Sequence, residues 1–437
     1  MAADSGIAAS RDVVGDADDE TIRNYVRDHP HCRQLAVAAV RPYLPRALEV
    51  QSWHEGLRFI SPAWPRMAYY RRADADRSSC HWGQLKLLEC ELKCLTEFLL
   101  SAAVDGPSSA RPLVVYAGAA PGRHLPALVR RFPGVDFELH DPAEFDDGLW
   151  AFAASQEAGG RIRILRDFFD EATVAAILSS KPTRPLLFFS DIRTADDRGM
   201  PPDEVDACIR RDMLRQRAWV EALRPELSCL KFRLPWSAGK TSYLHGRVLV
   251  QAFPPCTSTE TRLIVTRRDL DLADVTYDNE EYFEQLMYHN TVARALLYDM
   301  PVPPAGPEAV DGLDCCYDCS SLAATCRHFL AASRAAVASP REVAAELRAL
   351  LSEVTGSGAV ARAGYGRGRP LSPSKAKRRT LATPYAVSRS RCGGRPFPQR
   401  RYVDATGHDQ LTVLPALPAV EPDDAPPGAL AIGLGVG

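Results

Sequence analysis

Seven short apolar runs lie between residues 112 and 267, and segments with helical periodicity separate the early ones. The runs are 112–119, 135–139, 161–165, 185–191, 228–234, 247–253 and 261–267, with helical segments at 122–132, 167–180 and 202–223. Strands that alternate with helices are typical of a parallel sheet with helices on both faces. The last two runs have no helix between them, which predicts an antiparallel hairpin at one edge. We therefore predict an α/β fold with a mostly parallel seven-stranded sheet.

The segments on either side of this region are helical. A long amphipathic helix precedes the first strand and carries leucines at three- and four-residue spacing: Leu85, Leu88, Leu92, Leu95 and Leu99. Three more helical segments follow Asp278. This order predicts a disordered acidic N-terminus (1–20), a helical, cap-side extension (21–80), the α/β domain with its C-terminal helices (81–354) and a basic, Pro/Gly-rich disordered tail (355–437).

Charge is distributed unevenly along the chain. The net charge is −2, yet the stretch from Arg362 to Arg401 contains twelve Lys and Arg and no acid. A mildly acidic body disfavours nucleic-acid binding by bulk charge and favours local basic patches or the tail for that purpose. The basic run KAKRR (375–379) is also compatible with a nuclear-localisation signal or with an inert linker.

The sequence also excludes several classes of protein. No apolar run reaches the length of a membrane-spanning helix, and the N-terminus lacks the basic-then-apolar order of a secretory signal. Twelve cysteines without such a signal favour reduced thiols. We therefore expect an intracellular protein that is neither secreted nor membrane-bound. The cluster between Cys315 and His328 lacks the paired CxxC units of strong zinc sites, so we predict no metal.

A glycine-containing loop follows the first strand, in the segment VVYAGAAPGRHL (114–125). Gly118 and Gly122 flank the loop, and a helix is predicted directly after Gly122. A strand, a glycine loop and a helix N-terminus suit a nucleotide-like ligand, because glycine permits close approach of the backbone. The spacing of a P-loop is missing. The alternative is a purely structural turn.

The next two strand ends carry residues that suit the rest of such a ligand. Asp141 follows the second strand, about twenty residues after the loop, where an acid can accept hydrogen bonds from ribose hydroxyls. Phe168 and Phe169 follow the third strand, where an adenine could stack. The alternatives are a turn cap for Asp141 and ordinary core positions for the two phenylalanines.

Four charged residues are predicted to meet at the carboxyl end of the sheet. Asp191 ends the fourth strand, Lys231 lies within the fifth and Glu260 opens the last, while Lys86 lies on the helix before the sheet. Open α/β sheets place their sites at this edge, and lysine is almost never fully buried without a partner. Each charge alone also fits a snorkelling lysine, a cap or a structural ion pair, and Glu89 offers Lys86 a surface partner.

Taken together and in order, these segments resemble a known family. Five segments are similar to segments of the poxvirus-type cap-specific mRNA 2′-O-methyltransferases, which are also the small regulatory subunits of viral poly(A) polymerases. The five are GQLKLL, VVYAGAAPG, FFSDIR, LKFRLPW and QAFPPCTSTETRL. The resemblance spans residues 68–335. It implies a Rossmann-like methyltransferase fold and S-adenosyl-L-methionine as cofactor. It also implies a catalytic tetrad of Lys86, Asp191, Lys231 and Glu260, with Lys231 as general base and Arg262 supporting Glu260.

The same resemblance implies residues around the cofactor and the RNA. The cofactor would contact Tyr116, Gly118, Ala120, Pro121, Gly122, His124, Asp141, Phe168, Phe169 and Asp191. The cap and RNA would contact Trp236, Tyr69, Tyr70, Arg193, Arg233, Arg262 and Glu284. Trp236 falls where the family has an aromatic residue that stacks on the methylated guanine of the cap, an arrangement that cation–π attraction favours. Tyr69 or Tyr70 would form the opposite face.

The resemblance further implies partners and a source. Capped mRNA and a poly(A) polymerase catalytic subunit are the implied partners. A large DNA virus is the implied source, with the protein in the cytoplasm (viral factory or virion) or the nucleus. Two departures from the family pattern concern recognition: Pro142-Ala143 replaces Gly-Arg, so an arginine contact to the cofactor is lost, and Ala238 replaces an acid near the cap. For a later cap-binding acid the alternatives to Glu284 are Glu280 and Glu281. The alternatives are a non-catalytic, RNA-binding processivity subunit of a poly(A) polymerase, and a methyltransferase for non-cap RNA.

Overall fold

The computed structural model describes the central part of the chain. The described residues are 43–44, 50–69, 80–105, 110–180, 184–195, 200–254, 258–303, 306–311, 313, 315–334 and 336–355. The predicted acidic N-terminus and nearly all of the predicted basic tail lie outside these ranges. Within them, no helix combines the length and apolar character needed to cross a membrane.

The described residues contain nine strands in two sheets. They are β1 (Leu113–Ala117), β2 (Asp136–His140), β3 (Ile162–Leu165), β4 (Leu186–Ser190), β5 (Leu227–Phe232), β6 (Lys240–Tyr243), β7 (Arg247–Leu249), β8 (Thr261–Thr266) and β9 (Val275–Asp278). The main sheet has the order β3-β2-β1-β4-β5-β8-β7, and β6 pairs with β9. Neighbours from β3 through β5 are parallel, whereas β8 is antiparallel to both β5 and β7. The predicted seven-stranded, mostly parallel sheet with an antiparallel edge hairpin is therefore confirmed.

Helices follow most of the parallel strands and flank the sheet. They are α1 (Cys80–Asp105), α2 (Leu125–Arg131), α3 (Asp147–Ala153), α4 (Glu171–Ser179), α5 (Pro202–Leu223), α6 (Asn279–Thr291), α7 (Tyr317–Arg334) and α8 (Pro340–Thr355). Short 3₁₀ turns occupy Glu55–Arg58, Asp269–Asp271 and Ala293–Ala295. The sequence did not predict α3, which is only seven residues long and begins after Asp146, whose side chain accepts a hydrogen bond from the Gly148 amide.

Two hydrophobic layers cover the two faces of the main sheet. Along β1, Val114 and Tyr116 belong to the layer that contains the α1 leucines, whereas Val115 belongs to the layer that contains Trp219 of α5. Successive side chains of a strand point to opposite faces, so this alternation places α1 and α5 on opposite sides of the sheet. The predicted helices on both faces are confirmed.

A buried ion pair joins the segment before α1 to α1 and α7. Arg58 donates to Glu89 Oε1 at 2.5 Å and to Thr325 Oγ1 at 2.6 Å, and both charged side chains are fully buried. The Ser321 and Thr325 hydroxyls each donate to the same carboxylate oxygen at 2.9 Å. The interpretation of Glu89 as a surface partner of Lys86 is therefore wrong. Sequence periodicity does not show that a third element covers this side of α1.

Replacing Arg58 with methionine is expected to lower the free energy of unfolding by about 3–5 kcal/mol, because Glu89 would remain buried without its cation. Urea denaturation monitored by circular dichroism measures the change. The matched control is Arg334→Met, which breaks an exposed pair with Glu342 and should cost less than about 1 kcal/mol. Equal losses in the two variants would contradict a special role for the buried pair.

Candidate active site

The direction of β8 places the candidate site at the carboxyl end of β4 and β5. Asp191 directly follows β4, and Lys231 is the penultimate residue of β5. Because β8 runs antiparallel to β5, its first residues lie at the same edge, and Lys231 pairs in register with Arg262. Glu260, one residue before β8, therefore meets Lys231 at the sheet edge where Asp191 emerges.

The four charged residues predicted to form a tetrad are in contact. The Lys231 ammonium donates to Asp191 Oδ1 at 2.9 Å and lies 3.2 Å from Glu260 Oε2. Lys86 reaches across from α1 and donates to Glu260 Oε1 at 2.5 Å. Glu260 thus bridges the two lysines, one on each oxygen, and the lysine within the fifth strand has two carboxylate partners.

Two arginines complete the charged cluster. Arg262 donates to Asp191 Oδ1 at 2.6 Å and to the Ser190 carbonyl at 3.1 Å, and it lies 3.6 Å from Glu260. Only 2% of Arg262 is exposed, so it lies beneath the carboxylates and does not face a surface where RNA could bind. Arg193 lies 3.5 Å from Glu260 Oε2, with its side chain about half exposed.

The charges in this cluster shift the pKa values of its members. Burial alone would raise the pKa of Asp191, but Lys231 and Arg262 outweigh it and lower that pKa to about 2. Glu260 likewise has its pKa held well below the usual value by Lys231 and Lys86 against the effect of burial. For Lys231, burial lowers the pKa, Arg193 and Arg262 lower it further, and the two carboxylates oppose the shift without cancelling it. Lys231 therefore gives up its proton more readily than an ordinary lysine.

The loop after β1 is held tightly against the ends of β2 and β4. Gly118 has φ +81°, and a Cβ there would lie 2.8 Å from the Ile192 amide nitrogen. The Gly118 amide donates to the His140 carbonyl at 2.8 Å. Asp141 accepts from the Ala120 amide at 3.0 Å and from the Ala143 amide at 2.8 Å. Asp141 therefore caps its own turn and also fixes the loop, while its predicted contact with a ribose stays a prediction.

Two residues predicted to touch a cofactor lie beneath that loop in a buried polar network. The Tyr116 hydroxyl donates to Glu91 Oε1 at 2.7 Å, and the His124 ring lies 2.8 Å from both Glu91 Oε2 and Gln84 Oε1. His124 is fully buried and Tyr116 nearly so. Their side chains therefore support the loop from below. Sequence reasoning missed Gln84 and Glu91, although both are polar residues in a helix whose neighbouring leucines are buried.

The remaining predicted cofactor residues divide into exposed and buried ones. Phe168 is 74% exposed after β3, whereas Phe169 packs in the core against Trp219, with ring centroids 4.9 Å apart. Only Phe168 is available for stacking on an incoming ring. Gly122 has φ +67° and packs against Leu149, and Ala120 and Pro121 are half-buried between the two glycines.

The aromatic residues predicted to bind the cap are brought together, but in a closed cluster. Trp236 is 6% exposed, stacks on Phe283 with centroids 4.9 Å apart and lies 5.1 Å from the Tyr69 ring. The Arg233 guanidinium lies 5.0 Å from the Trp236 ring centroid. Tyr69 and Trp236 were predicted to lie on opposite faces of the cap guanine. In the structure their rings are in direct contact, with no space for a base between them. Tyr70 lies outside the described residues.

Two further predictions concern Glu284 and the cysteine cluster. Glu284 of α6 accepts from Arg66 at 2.7 Å near the aromatic cluster. Cys316, Cys319 and Cys326 are buried in the hydrophobic layer beside α1. Among the residues that the structure describes, no group of three or more His, Cys, Asp or Glu side chains is arranged to hold a metal ion.

Comparison with known proteins identifies the family. The poly(A) polymerase regulatory subunit family matches residues 66–303, more than half of the chain and nearly all of the sheet and site described above. The protein belongs to the poly(A) polymerase regulatory subunit family. No curated protein sequence matches the chain significantly.

A solved structure from bluetongue virus is a distant neighbour. It is the VP4 protein, described as "a multifunctional RNA-capping production-line", with 12% sequence identity and a TM-score of 0.32. The match covers 61% of this chain and 44% of that one, so the chain spans less than half the length of this neighbour.

Replacing Gly118 with alanine is expected to lower the free energy of unfolding by about 1–3 kcal/mol more than the same change at Gly160. Both glycines have positive φ, so both variants acquire backbone strain, but only at Gly118 would the Cβ press on the backbone at Asp191 and Ile192. At Gly160 no atom lies within 4 Å of the added Cβ. Chemical denaturation of the two variants measures the difference. Equal stabilities would show that the close contact of Gly118 with the backbone after β4 does not exclude a Cβ at this position.

Proposed function

We propose that the protein transfers a methyl group to the ribose 2′-hydroxyl of the first transcribed nucleotide of capped mRNA. The observation that supports this most strongly is the pairing of Lys231 with both Asp191 and Glu260 at the carboxyl end of the sheet. A lysine that is held in place by two carboxylates, yet has a lowered pKa, suits proton abstraction from a weakly acidic hydroxyl.

The residues around the carboxyl ends of β1, β2 and β3 fit S-adenosyl-L-methionine. When bound, this cofactor supplies a methyl group on a positively charged sulfur. The strand order reverses between β1 and β4, where open α/β sheets bind their ligands. The Gly118–Gly122 loop would hold the amino-acid portion, Asp141 at the end of β2 would accept from the ribose, and the exposed Phe168 at the end of β3 would lie beside the adenine.

The charged cluster would carry the proton transfer. Lys231 in its neutral form would accept the proton of the 2′-hydroxyl and so make the hydroxyl oxygen available to the methyl group. Asp191 and Glu260 would keep the Lys231 nitrogen in position, and Lys86 would steer the hydroxyl from the other side of Glu260. Much of the rate would come from holding the oxygen in line with the methyl group. Arg262, beneath the carboxylates, would keep both of them ionised.

Recognition of the cap is a separate part of the proposal. Arg193, half exposed beside the tetrad, would bind the RNA backbone, and Arg233 and Glu284 would lie near the cap. Stacking of a methylated guanine on Trp236 requires that Tyr69 or Phe283 move off its ring. If Trp236→Ala leaves the KM for capped RNA unchanged while methyl transfer persists, the substrate is a non-cap RNA.

A second function is favoured by the family match, namely regulation of a poly(A) polymerase. The protein would bind a polymerase catalytic subunit and hold RNA near it. Residues 81–354 would still form the methyltransferase domain, so one chain would have both functions. The basic stretch from Arg362 to Arg401 would add salt-sensitive RNA affinity. Adding the protein to a poly(A) polymerase catalytic subunit and measuring tail length tests this role, and Lys231→Ala should leave it intact because the tetrad is not needed for it.

Replacing Lys231 with alanine is expected to abolish methyl transfer to capped RNA while binding of S-adenosyl-L-methionine persists. Lys231→Arg should also be inactive, because a guanidinium keeps the charge but does not give up its proton. Mass spectrometry of capped RNA measures methylation, and calorimetry measures cofactor binding. Lys240→Ala, at an exposed lysine of β6, is the control that retains activity. Near-wild-type methylation by Lys231→Arg would exclude Lys231 as the base.

The pH dependence of methylation should change when Arg193 is removed. Arg193 lowers the pKa of Lys231, so Arg193→Ala raises that pKa and keeps the base protonated to higher pH. The rising limb of kcat against pH is therefore expected to move toward alkaline pH. Arg166→Ala, at an exposed arginine paired with Glu144 after β3, should leave the limb in place. A shift toward acid in Arg193→Ala would contradict this electrostatic role.

A further inference from the structure

Three polar side chains on the buried side of α5 bond to the backbone at or just beyond the ends of β4 and β5. They are Asp206, Asp212 and Gln216, each of which is at most 8% exposed. They interrupt a row of buried apolar residues that includes Val205, Ile209, Met213 and Trp219. Buried carboxylates are costly unless they are hydrogen-bonded, so their partners indicate why these residues occupy such positions.

Asp212 holds the segment that follows β4. Its Oδ2 accepts from the Thr194 amide and its Oδ1 accepts from the Thr194 hydroxyl, both at 2.8 Å. Thr194 lies three residues after Asp191 and next to Arg193. Asp212 therefore fixes the backbone that carries a tetrad carboxylate and the exposed arginine beside it.

Asp206 and Gln216 hold the segment that ends β5. Asp206 accepts from the Trp236 amide at 2.6 Å and from the Ser237 amide at 2.8 Å, one on each carboxylate oxygen. Gln216 donates from Nε2 to the carbonyl of Lys231 itself at 3.0 Å. The backbone from Lys231 to Ser237 is thus fixed at both ends by one helix.

We propose that α5 is the positioning element of the active site, with Asp206 and Asp212 as its positioning residues. Neither carboxylate contacts the tetrad side chains; each acts through the backbone to which the functional residues belong. Hydrogen bonds to an ionised carboxylate are stronger than neutral ones, so two bonds from each aspartate restrict a strand end more firmly than an amide could. Asp212 would govern the placement of Asp191, and Asp206 that of the segment containing Trp236. The kinetic consequences rest on the proposed function, whereas the restraint itself does not.

Amide hydrogen exchange in the full-length chain tests the restraint without any assay of activity. Leucine has nearly the same shape as aspartate but offers no acceptor oxygen, so both donors to that side chain lose their partner. Asp212→Leu should speed exchange at the Thr194 amide by about tenfold and leave Trp236 and Ser237 unchanged, whereas Asp206→Leu should do the reverse. Asp203→Leu, at an exposed acid in the first turn of the same helix, is the control that changes neither site. Unchanged exchange at Thr194 in Asp212→Leu, and at both Trp236 and Ser237 in Asp206→Leu, overturns the proposal.

Steady-state kinetics with capped RNA and S-adenosyl-L-methionine then separates the two restraints. Asp212→Leu is expected to lower kcat about tenfold, and Asp206→Leu to raise the KM for RNA about tenfold with a smaller effect on kcat. Equal effects of both variants on both parameters would indicate a general loss of folded protein and overturn the division of roles. If the wild-type protein methylates no RNA, the proposed function is refuted. If the variants nevertheless show the predicted local changes in hydrogen exchange, the restraint by α5 is supported.

A second variant covers the case in which Asp212→Leu does not fold. Thr194→Val removes the hydroxyl donor from the exposed side and leaves the amide bond to Asp212 in place. It should lower kcat in the same direction by about threefold. In the double variant the two effects should fall short of their product, because both changes remove the same contact. Independent, fully multiplicative effects overturn the role of the Asp212–Thr194 contact.

Discussion

The antiparallel pairing of β8 with β5 determines which side chains meet at the edge of the sheet. Because the two strands run in opposite directions, the first residues of β8 lie beside the last residues of β5, and Arg262 pairs with Lys231. A parallel β8 would place Glu260 at the other end of β5, about 20 Å away. Lys231 would then have only Asp191 beside it, and Lys86 would lose its bond to Glu260. The direction of β8 therefore sets the charge balance of the cluster, because it brings a second carboxylate among the lysines and arginines.

That balance sets two opposing requirements on Lys231. The carboxylates must hold its nitrogen in place, yet their attraction favours the protonated form. Burial opposes this attraction, because it disfavours the charged ammonium. Arg193 and Arg262 oppose it as well, since their guanidinium groups stay charged at any pH at which the protein is folded. In the structure Lys86 bonds to the far oxygen of Glu260, and the arginines supply the nearby positive charge.

The sequence was sufficient to predict the seven strands, the helices on both faces and the contact among the four charged residues, because strand ends and their order determine which residues share an edge. It did not predict β6 and β9, which are only four residues long, or the short helix α3. It also placed Arg262 near RNA and Tyr116 and His124 against a cofactor, although all three are buried beneath the site. Which way a polar side chain points depends on partners far away in sequence, such as Glu91 for His124, and periodicity carries no information about them.

One helix serves three parts of the molecule at once. Within about two turns, α1 presents Gln84 and Glu91 to the loop after β1, Lys86 to Glu260, and Glu89 to Arg58. These contacts share a single rigid axis, so α1 has no freedom to slide or rotate in favour of one of them. Over evolutionary time, substitutions at positions that are remote from each other in this protein should therefore be constrained together. Substitutions in the segment before α1 would be coupled to substitutions in the loop after β1, through a helix that belongs to neither.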